Sequence, residues 1–114
     1  MNEQLISADA IHGYVDLMVL SLLRSGPSYA YELVQQIGET SAGSYSIKQT
    51  TLYTAVKRLE QSALVSSYPG ESATGKARTY YQITPEGEAH LREKVAEWQQ
   101  TKTVVDRFIE GTAV

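Results

Sequence analysis

The chain has 114 residues, a net charge of −3, 42% hydrophobic and 20% charged residues, and no cysteine. That suffices for one domain with a modest core, and it excludes a disordered chain, a disulfide framework and a thiolate metal site. No apolar run approaches the ~20 residues that span a bilayer, and Met1–Ile6 lacks the basic flank of a signal peptide, so a cytoplasmic protein is expected.

Residues 1–10 are polar and read as an irregular start. From Ile11 to Arg24 the chain is apolar nearly all round (Ile11, Tyr14, Val15, Leu17, Met18, Val19, Leu20, Leu22, Leu23). One face of that helix serves a core; the other, near Leu17 and Ser21, calls for a partner. Gly26-Pro27 ends it. Ser28 is the expected cap of a second helix, from about Tyr29 to Glu39, with Ala30, Leu33, Val34 and Ile37 inward. Ser41 to Ser44 is a loop, and Ser46 with Gln49 forms an expected capping box for a third helix.

The third helix, Lys48–Glu60, has Leu52, Ala55, Val56 and Leu59 at i, i+3, i+4 and i+7. Its other face carries Lys48, Gln49, Thr51, Tyr53, Thr54, Lys57 and Arg58, with no acid before Glu60. Hydroxyls, an amide and cations suit phosphates and base edges, although the same pattern also describes an ordinary solvated face. Charge distribution separates these readings. Residues 48–78 hold five bases and two acids, whereas residues 1–47 hold five acids and one base, and residues 79–114 six acids and four bases. Positive charge is confined to this helix and the segment after it.

Leu64–Tyr68 and Arg78–Thr84 alternate as strands, joined by a turn-rich Pro69–Gly75 tip, with Lys76 and Arg78 near it. Tyr80 and Tyr81 point to opposite faces, so at least one is core. Thr84-Pro85 then starts a long helix, with Thr84 as N-cap, Pro85 in the first turn, and Glu86 and Glu88 near the positive end. Leu91, Val95, Trp98, Lys102, Val105 and Ile109 follow at spacings of 4, 3, 4, 3, 4, a heptad seam with no core left to cover. The order of elements is mainly α: a winged helix-turn-helix domain with a two-stranded wing over residues 1–84, and a C-terminal dimerisation helix over 85–114. The seam residues Leu91, Val95, Trp98, Val105 and Ile109 are the expected dimer interface.

Thr51-Leu52-Tyr53, Arg58-Leu59-Glu60, Leu64-Val65, Arg78 ahead of Tyr80-Tyr81, Ile83-Thr84 and Gly87, together with Tyr29-Ala30-Tyr31-Glu32-Leu33, resemble the PadR family of bacterial transcriptional regulators. The resemblance spans residues 12 to 110 and is similar to the subfamily with a single C-terminal helix, which includes phenolic-acid regulators and a multidrug-binding regulator. It implies a homodimeric repressor of double-stranded DNA, released by a flat aromatic effector. By position, Lys48, Gln49, Thr51, Tyr53, Thr54, Lys57 and Arg58 would face DNA, and Lys76 and Arg78 would reach phosphates from the wing. Trp98 would stack on the effector at the dimer interface, with Val95 and Lys102 beside it and Gly13, Leu17 and Ser21 facing it.

Three residues depart from the family pattern. Thr79 stands where a base is usual, which weakens the wing's charge. Ala63 replaces a helix-ending glycine, at a cost of about 1 kcal/mol if φ is positive there. Lys102 replaces an acid of the multidrug-binding relative and disfavours cationic ligands. Plainer roles stay open at this point: Trp98 as simple packing, Lys102 as a lysine snorkelling to the rim, Tyr53 as a core-edge residue, and Lys76 and Arg78 as a solubilising tip. A winged-helix protein-interaction module without DNA binding is the alternative function. His12 and His90 lack metal-binding company, and no phosphate loop, Ser-His-Asp set or carboxylate pair points to an enzyme or a cofactor.

Overall fold

Four helices and three strands follow one another in the computed structural model, which describes residues 11–112. The irregular start expected for residues 1–10 lies outside them. A 3-10 turn at His12–Tyr14 leads into α1 (Val15–Leu23). Then come β1 (Ser28–Tyr29), α2 (Ala30–Thr40), α3 (Gln49–Gln61), β2 (Val65–Glu71), β3 (Ala77–Ile83) and α4 (Pro85–Ile109).

The core is built from the apolar stripes of the first three helices. Val15, Val19, Leu20 and Leu23 of α1 meet Ala30, Leu33 and Ile37 of α2 and Leu52, Ala55, Val56 and Leu59 of α3. Val65 and Tyr81 close it from the sheet. Each fully buried Leu contributes about 1.5–3 kcal/mol, so this stripe fixes α3 by its inner face and leaves the outer one free. Tyr45 and Ile47, in the link between α2 and α3, are also buried and tie that connection down.

Three local expectations are corrected. Ser28 does not cap α2. It pairs with Tyr81 in an antiparallel sheet of order β1-β3-β2, while its hydroxyl donates to Glu32 Oε1 at 2.6 Å. Pairing with β3 is available to a two-residue strand only once the chain has folded back, so nothing local announces it. Ser46 forms no capping box either; Lys48 is the N-cap of α3 and no side chain caps it. Finally, Pro69 and Gly70 belong to β2, opposite Thr79 and Arg78. An edge strand tolerates a proline, and the Tyr80 ring lies where a side chain at Gly70 would stand, 2.7 Å from its Cβ position. The true turn is Ser72–Lys76, closed by Ser72 N–H donating to Lys76 O at 2.8 Å, with Gly75 at φ +82°.

The end of α3 and the start of α4 form one junction. Ala63 takes φ +63°, Leu64 N–H donates to Leu59 O at 3.0 Å, and Ala63 N–H donates to Glu60 O at 3.0 Å. This is a Schellman ending with alanine where glycine is unstrained. Thr84 then locks it: its hydroxyl donates to Ala63 O (2.7 Å) and accepts from Gly87 N–H (2.9 Å), while its own N–H donates to Leu64 O (3.1 Å). Ala63→Gly is therefore expected to stabilise the protein by about 1 kcal/mol, read as a rise of several degrees in the unfolding midpoint. An unchanged or lower midpoint would contradict the strain.

α4 leaves the domain after its first two turns. Gly87 and Leu91 are buried, and every residue from Arg92 to Gly111 is exposed. Twenty-five residues span ~37 Å. The radius of gyration is 16.0 Å, against about 13 Å for a compact chain of this length. Leu91, at 3% exposure, faces its own core and has almost no surface left for a partner, which removes it from the expected seam. The exposed stripe instead comprises Val95, Trp98, Val104, Val105, Phe108 and Ile109, with Phe108 at 78%.

Candidate nucleic-acid interface

The outer face of α3 presents all seven expected residues, Lys48, Gln49, Thr51, Tyr53, Thr54, Lys57 and Arg58, as exposed side chains. They do not form one uniform surface. At 100° per residue, Thr54 and Lys57 lie near the middle, Gln49 and Tyr53 on one flank, and Thr51 and Arg58 on the other. The free N–H groups of the first turn have no side-chain cap and no acid beside them, which leaves the positive end of α3 open to an anion.

The Gln49–Tyr53 flank faces the wing across a cleft completed by Tyr29, Tyr31, Pro69, Arg78 and Thr79. Arg78 is not at the hairpin tip. Its guanidinium lies 4.7 Å over the Tyr29 ring, which meets Tyr80 edge-on, and Tyr80 stacks on Tyr68. This aromatic column holds the cation in the cleft beside α3, where Arg78 Nε is buried with no hydrogen-bond partner among the described residues. Of the two wing cations, Lys76 is the one in the exposed turn. Tyr81, the core member of the tyrosine pair, is held above the ordinary phenol value by burial, with Tyr53 and Glu60 pushing the same way.

Thr54, Lys57 and Arg58 have defined partners. Thr54 Oγ1 donates to Thr50 O at 3.0 Å, so in this rotamer it can only accept from outside. Lys57 makes a long 3.8 Å contact with Glu60, whose other oxygen accepts from Ser67 at 2.6 Å. Arg58 is paired with Asp16 of α1 and is not the free cation that the sequence suggests. Lys48 and Lys76 make no ion pair among the described residues.

A second cleft, of about 240 Å³, lies between α1 and α4. Gly13, Leu17 and Trp98 line it as expected, together with Tyr14, Asp16, His90, Lys94, Glu97 and Thr101. Trp98, 39% exposed, meets Tyr14 edge-on at 5.1 Å. Ser21, Val95 and Lys102 do not line it. Ser21 faces a groove with Ile37 and Thr40, and Val95 lies across α4 beside Arg24 and Arg92. The companions of Trp98 are thus Lys94 and Thr101, one residue earlier at each turn than the heptad numbering assigns. On the helix Lys94 and Thr101 flank Trp98 on one side and Val95 and Lys102 on the other, and the side that α1 covers sets which pair faces the cleft. Tyr14 was readable as apolar but had no partner in the sequence to mark it.

The model of the transcriptional regulator PadR-like family matches residues 19–93. The chain is similar to a solved transcriptional regulator from Clostridium thermocellum, with 47% identity, 92% of this chain and 99% of that one covered, and a TM-score of 0.84. A PadR family transcription regulator from Clostridium difficile R20291 shares 36% identity over 85% of this chain and 99% of its own, with a TM-score of 0.76. An uncharacterised protein of Lysinibacillus sphaericus is 37% identical over 107 residues, 94% of this chain and 98% of that protein.

Proposed function

Because the chain belongs to the PadR-like family of transcriptional regulators, which is not a family of enzymes, we propose that it is a homodimeric repressor that reads a pseudo-palindromic operator and releases it when an aromatic ligand binds. The observation that carries the reading is α3: its inner face is locked in the core while seven polar and cationic side chains and an uncapped positive end stand outside. Two such helices, one from each protomer, would enter successive major grooves ~34 Å apart. Lys57 and the positive end of α3 would take phosphates. Thr54, whose hydroxyl donates inward to Thr50 O in this rotamer, would accept from a base amine and so give the helix a share in specificity as well as position. Arg78, set by Tyr29, and Lys76 would hold the flanking backbone.

The exposed part of α4 supports the dimer. Val104, Val105, Phe108 and Ile109 form an apolar ridge beyond the domain, and isolated single helices do not leave such a ridge in water. In this reading residues 85–114 supply the pairing, apart from Leu91, and residues 1–84 the DNA-binding domain. At about 240 Å³ the Trp98 cleft is smaller than the ~300–1,000 Å³ usual for ligand pockets. A facing copy would supply the second wall, and a flat aromatic molecule would lie against the two Trp98 rings.

A gel shift with the DNA upstream of the chain's own gene tests the central claim, and absence of any shift would favour a protein-interaction module. The cleft is tested by titrating flat aromatic compounds while following fluorescence of Trp98, the single tryptophan. Quenching that disappears when Tyr14→Ala opens the cleft is expected. No quenching by any such compound would count against the ligand role.

A further inference from the structure

The described residues form three ion pairs, and only one of them joins two elements. Lys57–Glu60 and Lys94–Glu97 are three residues apart on single helices. Asp16 and Arg58 are 42 residues apart, on α1 and α3, with Arg58 Nη2 donating to Asp16 Oδ1. Their side chains are 37% and 52% exposed. A guanidinium presents the same fork of donors to a carboxylate as to a phosphate. A half-exposed pair of this kind is also weak enough to be exchanged.

On the reading of α3 as the DNA-reading helix, we infer that Asp16 is an internal stand-in for a DNA phosphate: it occupies Arg58 in the free protein and lowers affinity for every duplex. The geometry supports this in two ways. Arg58 stands on the flank of α3 turned to α1, adjoining Thr54 and Lys57 on one continuous exposed surface. A phosphate reaching it must first displace the Asp16 carboxylate that accepts from Arg58 Nη2. Asp16 acts here as a positioning residue, through Arg58. It also forms a wall of the Trp98 cleft, so one carboxylate belongs both to the ligand surface and to the restraint on the reading helix.

The test uses the full-length protein and a labelled duplex enriched by the wild type from a randomised pool, with affinity followed by anisotropy over a salt series. Asp16→Asn keeps the shape and removes the charge. It is expected to bind roughly three- to tenfold more tightly at physiological salt, with a salt slope steeper by about 0.9, the signature of one added phosphate contact. Arg58→Ala is expected to bind more weakly than wild type, and the double variant Asp16→Asn/Arg58→Ala to match Arg58→Ala in both affinity and slope. A purely structural pair predicts the opposite: Asp16→Asn loosens α3 and binds more weakly with an unchanged slope, which would overturn the inference. A gain that persists in the double variant would also overturn it, since the gain would then not pass through Arg58. If no duplex can be enriched at all, the DNA-binding reading itself fails, a result distinct from either of these.

Discussion

Lys57→Ala/Arg58→Ala is expected to bind operator DNA roughly 10- to 100-fold more weakly than wild type at physiological salt, with the log–log salt slope shallower by about 0.9, the share of Lys57, because Asp16 holds Arg58 in the wild type. The two cations stand on the exposed face of α3, and neither supports the core, so the folded state should persist while binding fails. The larger share falls to Lys57. Its contact with Glu60 is long and mostly solvated, whereas Arg58 must first leave Asp16. Anisotropy across a salt series, with circular dichroism to confirm folding, measures both numbers. Unchanged binding in the double variant would show that α3 is not the reading helix. Wing variants offer a graded comparison: Lys76→Ala removes a tip cation free of partners among the described residues and should cost only about one phosphate contact.

Gly87→Ala is expected to lose about 3 kcal/mol, enough to lower the unfolding midpoint by on the order of 10–20 °C. A Cβ there would stand 2.1 Å from Leu64 O and 2.8 Å from Ile83 Cγ1. The carbonyl cannot retreat easily, because it also accepts the Thr84 N–H that joins β2 to the start of α4. Relief therefore requires α4 to shift away from the sheet, which breaks the Thr84 cap on Gly87 and the burial of Leu91 together. Gly38→Ala provides the control of opposite sign. Nothing lies within 4 Å of a Cβ at Gly38 in α2, so alanine should stabilise by about 0.5–1 kcal/mol. Denaturant midpoints for the two variants decide whether glycine matters at position 87 for space and at position 38 for nothing at all.

The junction around Gly87 shows where sequence reading reaches and where it stops. Thr84-Pro85 with Glu86 and Glu88 announced the start of α4 correctly, since capping chemistry is local and each group acts within one turn. The strain at Ala63 was legible as a missing glycine, but its reality needed the backbone, and φ +63° supplies it. Ser28 went the other way. A serine ahead of a helical stripe has the same local chemistry whether it caps or pairs, and only contact with Tyr81, more than fifty residues on, decided for the strand. Pro69-Gly70 likewise reads as a turn until the edge position of β2 and the Tyr80 ring make both residues acceptable within a strand.

The candidate site divides in the same manner. By itself the sequence determined that α3 is amphipathic, which seven side chains lie on its outer face, that positive charge is confined to residues 48–78, and that a long helix follows with an apolar seam, because helical period and net charge are properties of consecutive residues. Only the tertiary structure decided that Arg58 is held by Asp16, that Arg78 rests on Tyr29, that Tyr14 meets Trp98, and that Leu91 is spent on the core while Phe108 is not. Each of these joins residues from different elements. A charge or a ring acquires its role from what stands within a few ångströms of it, and that distance is fixed by packing rather than by order along the chain.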